Sequence, residues 1–197
     1  MAKLFLLTGL PGVGKTTVAT SLRNPFYERI HFGALLREAV ERKTGFPLTH
    51  SAFREDHHRL VTSAIVRDAT LRVRELASRS TVRVCVLDSH AVTPTPVGIR
   101  AIPDNMELIR CLKFDGIVHL SSEECLDRVV QNSNAEGRQR MSITEAAVAE
   151  TLQLSVSTLY ASAHGCPLMV VPAVGDMEKT IKAVDAAVQS IVAALDE

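Results

Sequence analysis

Residues 9–17 of this chain have the types and spacing of a phosphate-binding loop. They read Gly-Leu-Pro-Gly-Val-Gly-Lys-Thr-Thr and fit the pattern G-x-x-x-x-G-K-S/T at every fixed position. Glycines let the backbone bring its N–H groups close to phosphate oxygens, and the N-terminus of a following helix adds partial positive charge. The residues of this loop that we expect to contact a nucleotide are Gly9, Pro11, Gly12, Val13, Gly14, Lys15, Thr16 and Thr17.

Two of these residues and one aspartate predict how ATP and Mg²⁺ are held. Lys15 can reach the β and γ phosphates, and the hydroxyl of Thr16 can ligate Mg²⁺. Asp88 ends the apolar run 82–88, where an acidic residue supports Mg²⁺ in proteins with such a loop. The competing interpretations are a glycine-rich turn with an unrelated lysine, and an aspartate that only caps a turn.

Arginines and a histidine provide further candidates for the chemistry of phosphate transfer. Arg138 and Arg140 lie in a polar segment between two predicted helices, where mobile arginines can neutralise transferred charge. Arg128, on the helix before them, can join the nucleotide contacts. His90 follows Asp88 by two residues and either hydrogen-bonds a phosphate or orients the loop. A solvated charged loop and a structural histidine are the alternatives.

A second group of residues predicts where the acceptor of the phosphate binds. Gly33 and Arg37 follow the second predicted strand, and Arg37 either holds the acceptor phosphate or lies on the surface of an amphipathic helix. His50 and the pair His57-His58 suggest a metal at first. Adjacent histidines on one helix point in different directions, however, so we do not expect a metal cluster there.

Short apolar runs alternate with helical patterns along the whole chain, which predicts an α/β fold. A parallel sheet covered by helices on both faces follows, and its ligands bind at the carboxyl ends of the strands. The predicted strands are residues 3–8, 27–32, 82–88, 116–120 and 168–171.

Helical patterns and breakers predict the remaining elements. Residues 34–43 and 105–112 are predicted helices, and the long helical pattern over residues 51–78 predicts either two helices or one bent helix. Capping-box patterns at residues 121–124 and 142–145 each begin a helix. The second of these helices carries an apolar seam, and the loop after Asp88 is predicted to be irregular because it is rich in proline and glycine. The seam is Val148, Leu152, Val156, Leu159 and Ala163, and the breakers of the loop are Pro94, Pro96, Gly98 and Pro103.

Composition bounds the class of protein. The 197 residues suit one domain, residues 1–197, and the formal net charge of zero argues against a nucleic-acid or anionic-membrane partner. Four cysteines without a C-x-x-C pair predict free thiols in a reducing cytoplasm. No apolar run approaches the roughly 18 residues of a membrane span, so we expect a cytoplasmic protein.

With these motifs in place, the chain resembles the nucleoside monophosphate kinases over nearly its whole length, and most specifically the archaeal type of adenylate kinase. Residues 87–92, Leu-Asp-Ser-His-Ala-Val, are similar to that family's D-T-H-A-V segment, and Thr95-Pro96 with Gly98 is similar to its later T-P-x-G. Arg128, Arg138 and Arg140 resemble its lid arginines. The resemblance implies a P-loop NTPase fold with five core strands and transfer of the γ-phosphate of MgATP to AMP. It further implies a helical acceptor-binding region over residues 33–80, a short lid over residues 132–142, and, as in many archaeal enzymes, a homo-oligomer.

Two positions depart from that family's pattern and keep alternatives open. Ala34 stands where these kinases generally carry an aspartate, and Val156 stands where an arginine usually precedes the tyrosine, here Tyr160, by four residues. The leading hypothesis is a nucleoside monophosphate kinase that acts on AMP. The alternatives are a P-loop kinase of another small metabolite and a nucleotide-binding regulator or weak ATPase.

Overall fold

Five parallel strands form the central sheet of the computed structural model, which describes residues 2–22, 25–95, 98–101, 111–133 and 140–197. The order of these strands across the sheet is β2-β3-β1-β6-β7, and a separate antiparallel pair is formed by β4 and β5. The strands are β1 Lys3–Thr8, β2 Tyr27–His31, β3 Val84–Asp88, β4 Val92–Thr95, β5 Gly98–Ala101, β6 Gly116–Ser121 and β7 Leu168–Pro172. The predicted five-stranded α/β architecture is confirmed, and each core strand lies within two residues of its predicted bounds.

Helices cover both faces of this sheet. Successive side chains of a strand point to opposite faces, so Leu4 and Leu6 of β1 belong to one apolar cluster, whereas Phe5 and Leu7 belong to another. The run of apolar residues in β1 is therefore explained by burial on both sides. The helices are α1 Lys15–Ser21, α2 Phe32–Thr44, α3 His50–Leu60, α4 Ser63–Arg79, α5 Leu126–Ser133, α6 Ile143–His164 and α7 Met177–Asp196.

The strand order determines which loops meet at the site. Strand β1 pairs with β3 on one side, where Leu7 lies opposite Asp88, and with β6 on the other, where Thr8 lies opposite His119. The segments that follow β1, β3 and β6 therefore leave the sheet side by side at its carboxyl edge. This is the position at which ligands bind to open parallel sheets.

The long helical pattern over residues 51–78 is two helices. Helix α3 ends at Leu60 and α4 begins at Ser63. Thr62 caps α4, because its hydroxyl accepts a hydrogen bond from the N–H of Ile65. Of the two interpretations of this pattern, the one with two helices is confirmed.

The predicted irregular loop after Asp88 is partly wrong, because β4 and β5 form an antiparallel hairpin there. Pro94 lies in β4 opposite Ile99. In a two-stranded ribbon, both strands are edge strands, and some of their backbone N–H groups make no hydrogen bond to a partner strand. Proline, which lacks an N–H, is tolerated at such positions. Pro96, Pro103 and most of the predicted helix 105–112 lie outside the residues that the structure describes.

The predicted apolar seam of α6 is also wrong. Val148, Leu152 and Leu159 are 51, 41 and 65 % exposed, and Ala163 is exposed too, whereas Val156 is partly buried. The buried face carries small and polar residues instead, and a helix whose buried residues are small can approach a sheet closely. The buried residues of α6 are Ala146, Ala149, Glu150, Gln153, Ser157, Tyr160 and Ala161.

The two capping-box patterns have different outcomes. At the first, the capping serine of the pattern, Ser121, accepts from the N–H of Glu123 at 3.4 Å, and the helical start is a 3₁₀ turn, Glu123–Cys125, that leads into α5. Ser122, which immediately precedes that turn, makes no side-chain cap, and its hydroxyl donates to Glu150. A helical segment therefore begins where the pattern predicts, but its first turn is a 3₁₀ turn. At the second, Ser142 accepts from the N–H of Glu145, and the Glu145 carboxylate accepts from the N–H of Ser142 at 2.7 Å. This capping box is confirmed.

Replacing Ser142 by alanine is expected to lower the thermal midpoint by about 2–4 °C, because the first turn of α6 loses its side-chain acceptor. Thermal unfolding followed by circular dichroism measures this. Ser155→Ala on the exposed face of the same helix, where the hydroxyl only bonds to Thr151 O, is the matched control. Equal midpoints for the two variants would contradict the role of the cap.

Candidate nucleotide site

The loop after β1 has the geometry that its glycines predict. Gly9 has a φ of +145°, and a Cβ at this position would lie only 2.5 Å from the carbonyl oxygen of Leu120. Gly14 has a φ of +112° and stands immediately before α1, which begins at Lys15. Gly9 therefore requires glycine for conformation and for space, and Gly14 requires it for conformation. The predicted succession of strand, glycine turn and helix is confirmed.

Lys15 lies inside the curve of this loop. Its side chain is buried, at 3 % exposure, and its ammonium group donates to the carbonyl oxygens of Gly9 and Leu10, each at 2.7 Å. A buried cation is tolerated only with such acceptors or with an opposite charge. The positive charge of Lys15 is thus held where the pattern predicts phosphate oxygens.

Thr16 and Asp88 meet across the gap between the loop and β3. The hydroxyl of Thr16 donates to Asp88 Oδ2 at 3.0 Å, and Thr16 itself is exposed. Hydroxyl and carboxylate oxygens are the donors that Mg²⁺ prefers in proteins. The two residues therefore fit the predicted Mg²⁺ site, with Thr16 and Asp88 as the protein groups that would hold the ion.

Asp88 is ionised despite its burial. Burial raises the pKa of this carboxyl, but the charges of Lys15, His90 and His31, with a hydrogen bond from Arg29, outweigh that effect and hold the pKa below its usual range. Four positively charged or chargeable groups therefore surround one carboxylate. Such a concentration of charge is typical of sites that bind and transfer phosphate.

Arg29 of β2 is a site residue that the sequence analysis did not identify. Its guanidinium donates to Asp88 Oδ2 at 2.8 Å and to the hydroxyl of Thr20 at 2.9 Å. The signal for it in the sequence was its place in a predicted strand, two residues before His31, which lies opposite Asp88 in the sheet. Arg29 thereby provides a counter-charge for Asp88.

Replacing Arg29 by methionine is expected to lower the free energy of unfolding by about 2 kcal/mol, since it leaves a buried carboxylate without one partner. The partial exposure of Arg29 keeps this below the cost of breaking a fully buried pair. Urea denaturation measures it. The control is Arg83→Met, because Arg83 pairs with Asp196 at the surface. An equal loss of unfolding free energy in the two variants would show that the burial of Asp88 does not increase the contribution of its ion pair to stability.

His90 is brought to the loop, whereas Arg37 is placed farther along α2. His90 Nδ1 lies 3.2 Å from the carbonyl oxygen of Gly9 and is the donor, because a carbonyl can only accept. Arg37 lies 3.9 Å from Glu41, one turn farther along α2. Gly33 lies beside His31, since a Cβ there would be 3.4 Å from His31 Nε2. The roles of all three in substrate binding stay predictions.

Helix α5 contacts the loop through its side chains. Arg128 donates to the carbonyl oxygen of Val13 at 3.1 Å, and Asn132, which the sequence analysis did not identify, donates to that of Gly12 at 2.9 Å. Arg140 is exposed. Arg138 lies outside the described residues, so its predicted catalytic role is not tested. Arg128 is thus the arginine of the predicted trio that the structure places on the phosphate-binding loop.

The ranges given above also bear on two other features, metal clusters and membrane-spanning helices. Within them, no three histidine, cysteine, aspartate or glutamate side chains are grouped as a metal ion would need. Likewise, none of the helices in those ranges combines the length and apolar character of a membrane span. The cysteines Cys85, Cys111, Cys125 and Cys166 are free thiols, as predicted.

Comparisons with known proteins agree with this geometry. The family described as "AAA domain" matches residues 8–147, which is more than half of the chain. Among solved structures, "Crystal structure of TT1252 from Thermus thermophilus" is 19 % identical, with a TM-score of 0.57, and the match covers 96 % of this chain and 97 % of that one. At that identity the likeness shows the fold alone. Among curated proteins, none matches the chain.

Proposed function

Since the chain belongs to the AAA domain family, in a nucleotide-binding and kinase-like branch of the P-loop proteins, we propose that it transfers the γ-phosphate of MgATP to AMP. The observation that carries this proposal is the hydrogen bond between Thr16 and Asp88, which joins the phosphate-binding loop to the end of β3 beside Lys15. A loop that bound phosphate without a metal ion would not need a buried, ionised carboxylate at this point, whereas a site that binds MgATP does.

The residues of the chain act mainly by positioning and by charge. The N–H groups at the start of α1 and the ammonium of Lys15 bind the phosphates, and Lys15 leaves the carbonyl oxygens of the loop to do so. Thr16 and Asp88 would hold Mg²⁺, which would neutralise part of the phosphate charge. Arg128 stands beside the loop at Val13 and provides a further positive charge for the transferred group.

The acceptor is proposed to bind to the region that follows β2. Gly33 and Arg37 on α2 belong to this predicted acceptor region, residues 33–80, and His90 lies against the phosphate-binding loop at Gly9. AMP is proposed because residues 87–92 are similar to the corresponding segment of archaeal-type adenylate kinases. Those residues include Asp88 and His90, both of which lie at the site.

A panel of acceptors tests this function. Purified protein with MgATP is incubated with AMP, CMP, UMP, GMP or dAMP, and diphosphate products are separated by ion-exchange chromatography. The expected result is product from AMP at a rate well above the others. No turnover of any of the five would contradict a nucleoside monophosphate kinase.

A kinase of another small metabolite is the second candidate, and Val156 favours it. Val156 is packed against the apolar core, so it cannot replace the phosphate-binding arginine expected there. Thermal shift measurements with ADP and a panel of small hydroxylated metabolites distinguish the candidates. Additional stabilisation by a non-nucleotide would favour the second candidate, whereas stabilisation by AMP alone would favour the first.

A further inference from the structure

Helix α6 directs two buried polar side chains, Glu150 and Gln153, toward the carboxyl edge of the sheet. Their residues are 5 % and 0 % exposed. Because they are three residues apart on a helix, they lie on the same face. Each has several hydrogen-bonding partners, and these partners belong to the segments that border the phosphate-binding loop.

Gln153 joins the start of the loop to the segment that follows Asp88. Its amide nitrogen donates to the hydroxyl of Thr8, and its amide oxygen accepts from the N–H of Val92 at 2.9 Å. Thr8 immediately precedes Gly9, and Val92 lies two residues after His90. One side chain therefore sets the distance between the loops after β1 and β3.

Glu150 joins α6 to strand β6 and to the segment that follows it. Its carboxylate accepts from His119 Nε2 at 2.9 Å, from Ser122 N–H at 3.1 Å and from the Ser122 hydroxyl at 2.7 Å. Burial raises the pKa of Glu150, but the hydrogen bonds from His119 and Ser122 outweigh it, so the pKa is below its usual range. The group is an ionised carboxylate with three donors.

The two partners of Glu150 lead directly to the loop. His119 lies opposite Thr8 in the sheet. Ser122 leads through a short turn into α5, where Arg128 and Asn132 donate to the loop carbonyls. Between them, Glu150 and Gln153 thus connect α6 to the segments that follow β1, β3 and β6.

We propose that Glu150 and Gln153 are positioning residues that hold these three segments in the arrangement required to bind MgATP. Removing either side chain leaves buried polar groups of its partners, such as the N–H of Val92 or the hydroxyl of Ser122, without that hydrogen bond, so the variants are expected to lose stability as well as the arrangement of the three segments. Misplacement of a site by about 1 Å costs about 10²-fold in rate. The part of this inference that concerns transfer to AMP rests on the proposed function; the part that concerns MgATP binding does not.

Two substitutions with matched controls test the proposal. Glu150→Gln and Gln153→Met remove the carboxylate charge and the amide. Glu28→Gln and Gln189→Met make the same changes away from the site: Glu28 accepts from the Ser80 hydroxyl, and Gln189 donates to the hydroxyl of Tyr27, near the amino ends of β2 and β3. All variants are measured at a temperature at which circular dichroism shows them folded.

The readouts are the Kd of MgATP by titration calorimetry without acceptor, and kcat and KM with AMP. The expected result is a Kd raised about tenfold and a kcat/KM lowered about 10²-fold in the two site variants, with the controls within about twofold of the wild type. Wild-type Kd and kcat/KM in both site variants, even with lowered thermal midpoints, would mean that the two residues are only structural and would overturn the proposal.

If Glu150→Gln does not fold, Ser122→Ala tests the proposal in its place. This substitution removes the hydroxyl donor to the Glu150 carboxylate and leaves its other two donors. A raised Kd for MgATP in this variant supports the proposal, and an unchanged Kd contradicts it. If the wild-type protein binds MgATP but transfers nothing to AMP, the proposed acceptor is wrong. The Kd values still test the positioning residues in that case.

Discussion

Replacing Lys15 by methionine is expected to lower kcat/KM for MgATP by about 10³-fold, which corresponds to about 4 kcal/mol of transition-state stabilisation. Lys15 is a buried cation in the curve of the loop, and its ammonium already meets two loop carbonyls. Methionine keeps the length and packing of the side chain but removes the charge, so the effect reports on phosphate binding rather than on a cavity. Initial rates with saturating acceptor measure it.

Lys179→Met is the control for this substitution. Lys179 lies at the start of α7 with its side chain 78 % exposed, and its ammonium is 3.9 Å from Asp176. This variant is expected to retain the wild-type kcat/KM. If Lys15→Met also kept it, the loop would not hold the reacting phosphates and the assignment of the site would be wrong.

Replacing Asp88 by asparagine is expected to lower kcat by about 10²–10³-fold and to raise the Mg²⁺ concentration that gives half of the maximal rate. Asparagine has the same shape but no charge. It therefore weakens the proposed hold on Mg²⁺ and leaves Arg29 beside a neutral group. Initial rates at fixed ATP over a series of Mg²⁺ concentrations measure both effects.

The matched control is Asp115→Asn. Asp115 accepts from the N–H of Leu4 at 2.7 Å, next to the amino end of β1 and therefore away from the site. Its substitution is expected to change stability without changing the Mg²⁺ dependence. Identical Mg²⁺ curves for the two variants would exclude Asp88 from the proposed metal site.

The strand, loop and helix that hold the phosphates could be predicted because their signals are local. The apolar run of β1 predicts its bounds, Lys3–Thr8, and the glycines that follow have positive φ angles that other residues rarely adopt. Asp88 was found for the same reason, since it stands at the end of an apolar strand. In each case the deciding residues are neighbours in the sequence.

The residues that the sequence analysis missed make contacts between distant parts of the chain. Arg29 meets Asp88 across 59 residues, and Gln153 meets Thr8 across 145. Ser122 lies within the first capping-box pattern, but its hydroxyl donates to Glu150, 28 residues later. A sequence pattern shows which hydrogen bonds a side chain can make to nearby residues. It does not show whether a residue from another helix or strand competes for the same side chain.

Helix α6 shows a different limit. Its apolar residues mark an exposed face, while the face toward the sheet is made of small residues and of Glu150 and Gln153. Periodicity predicts the buried face only when the other face is charged, and the exposed residues of α6 after Glu145 carry no charge. Hydrophobicity alone therefore predicts the wrong buried face for this helix. For the same reason it does not identify Glu150 and Gln153, the two buried polar residues that border the site.

Transfer from MgATP to AMP tests the central proposal most directly. The measurement is phosphorus NMR of a mixture of protein, MgATP and AMP, with Lys15→Met in place of the wild type as the blank. The proposed function predicts that ATP and AMP are consumed in equal amounts and that ADP is the product, with no reaction in the blank. ATP that stays intact, or that yields inorganic phosphate while AMP is unchanged, would contradict it.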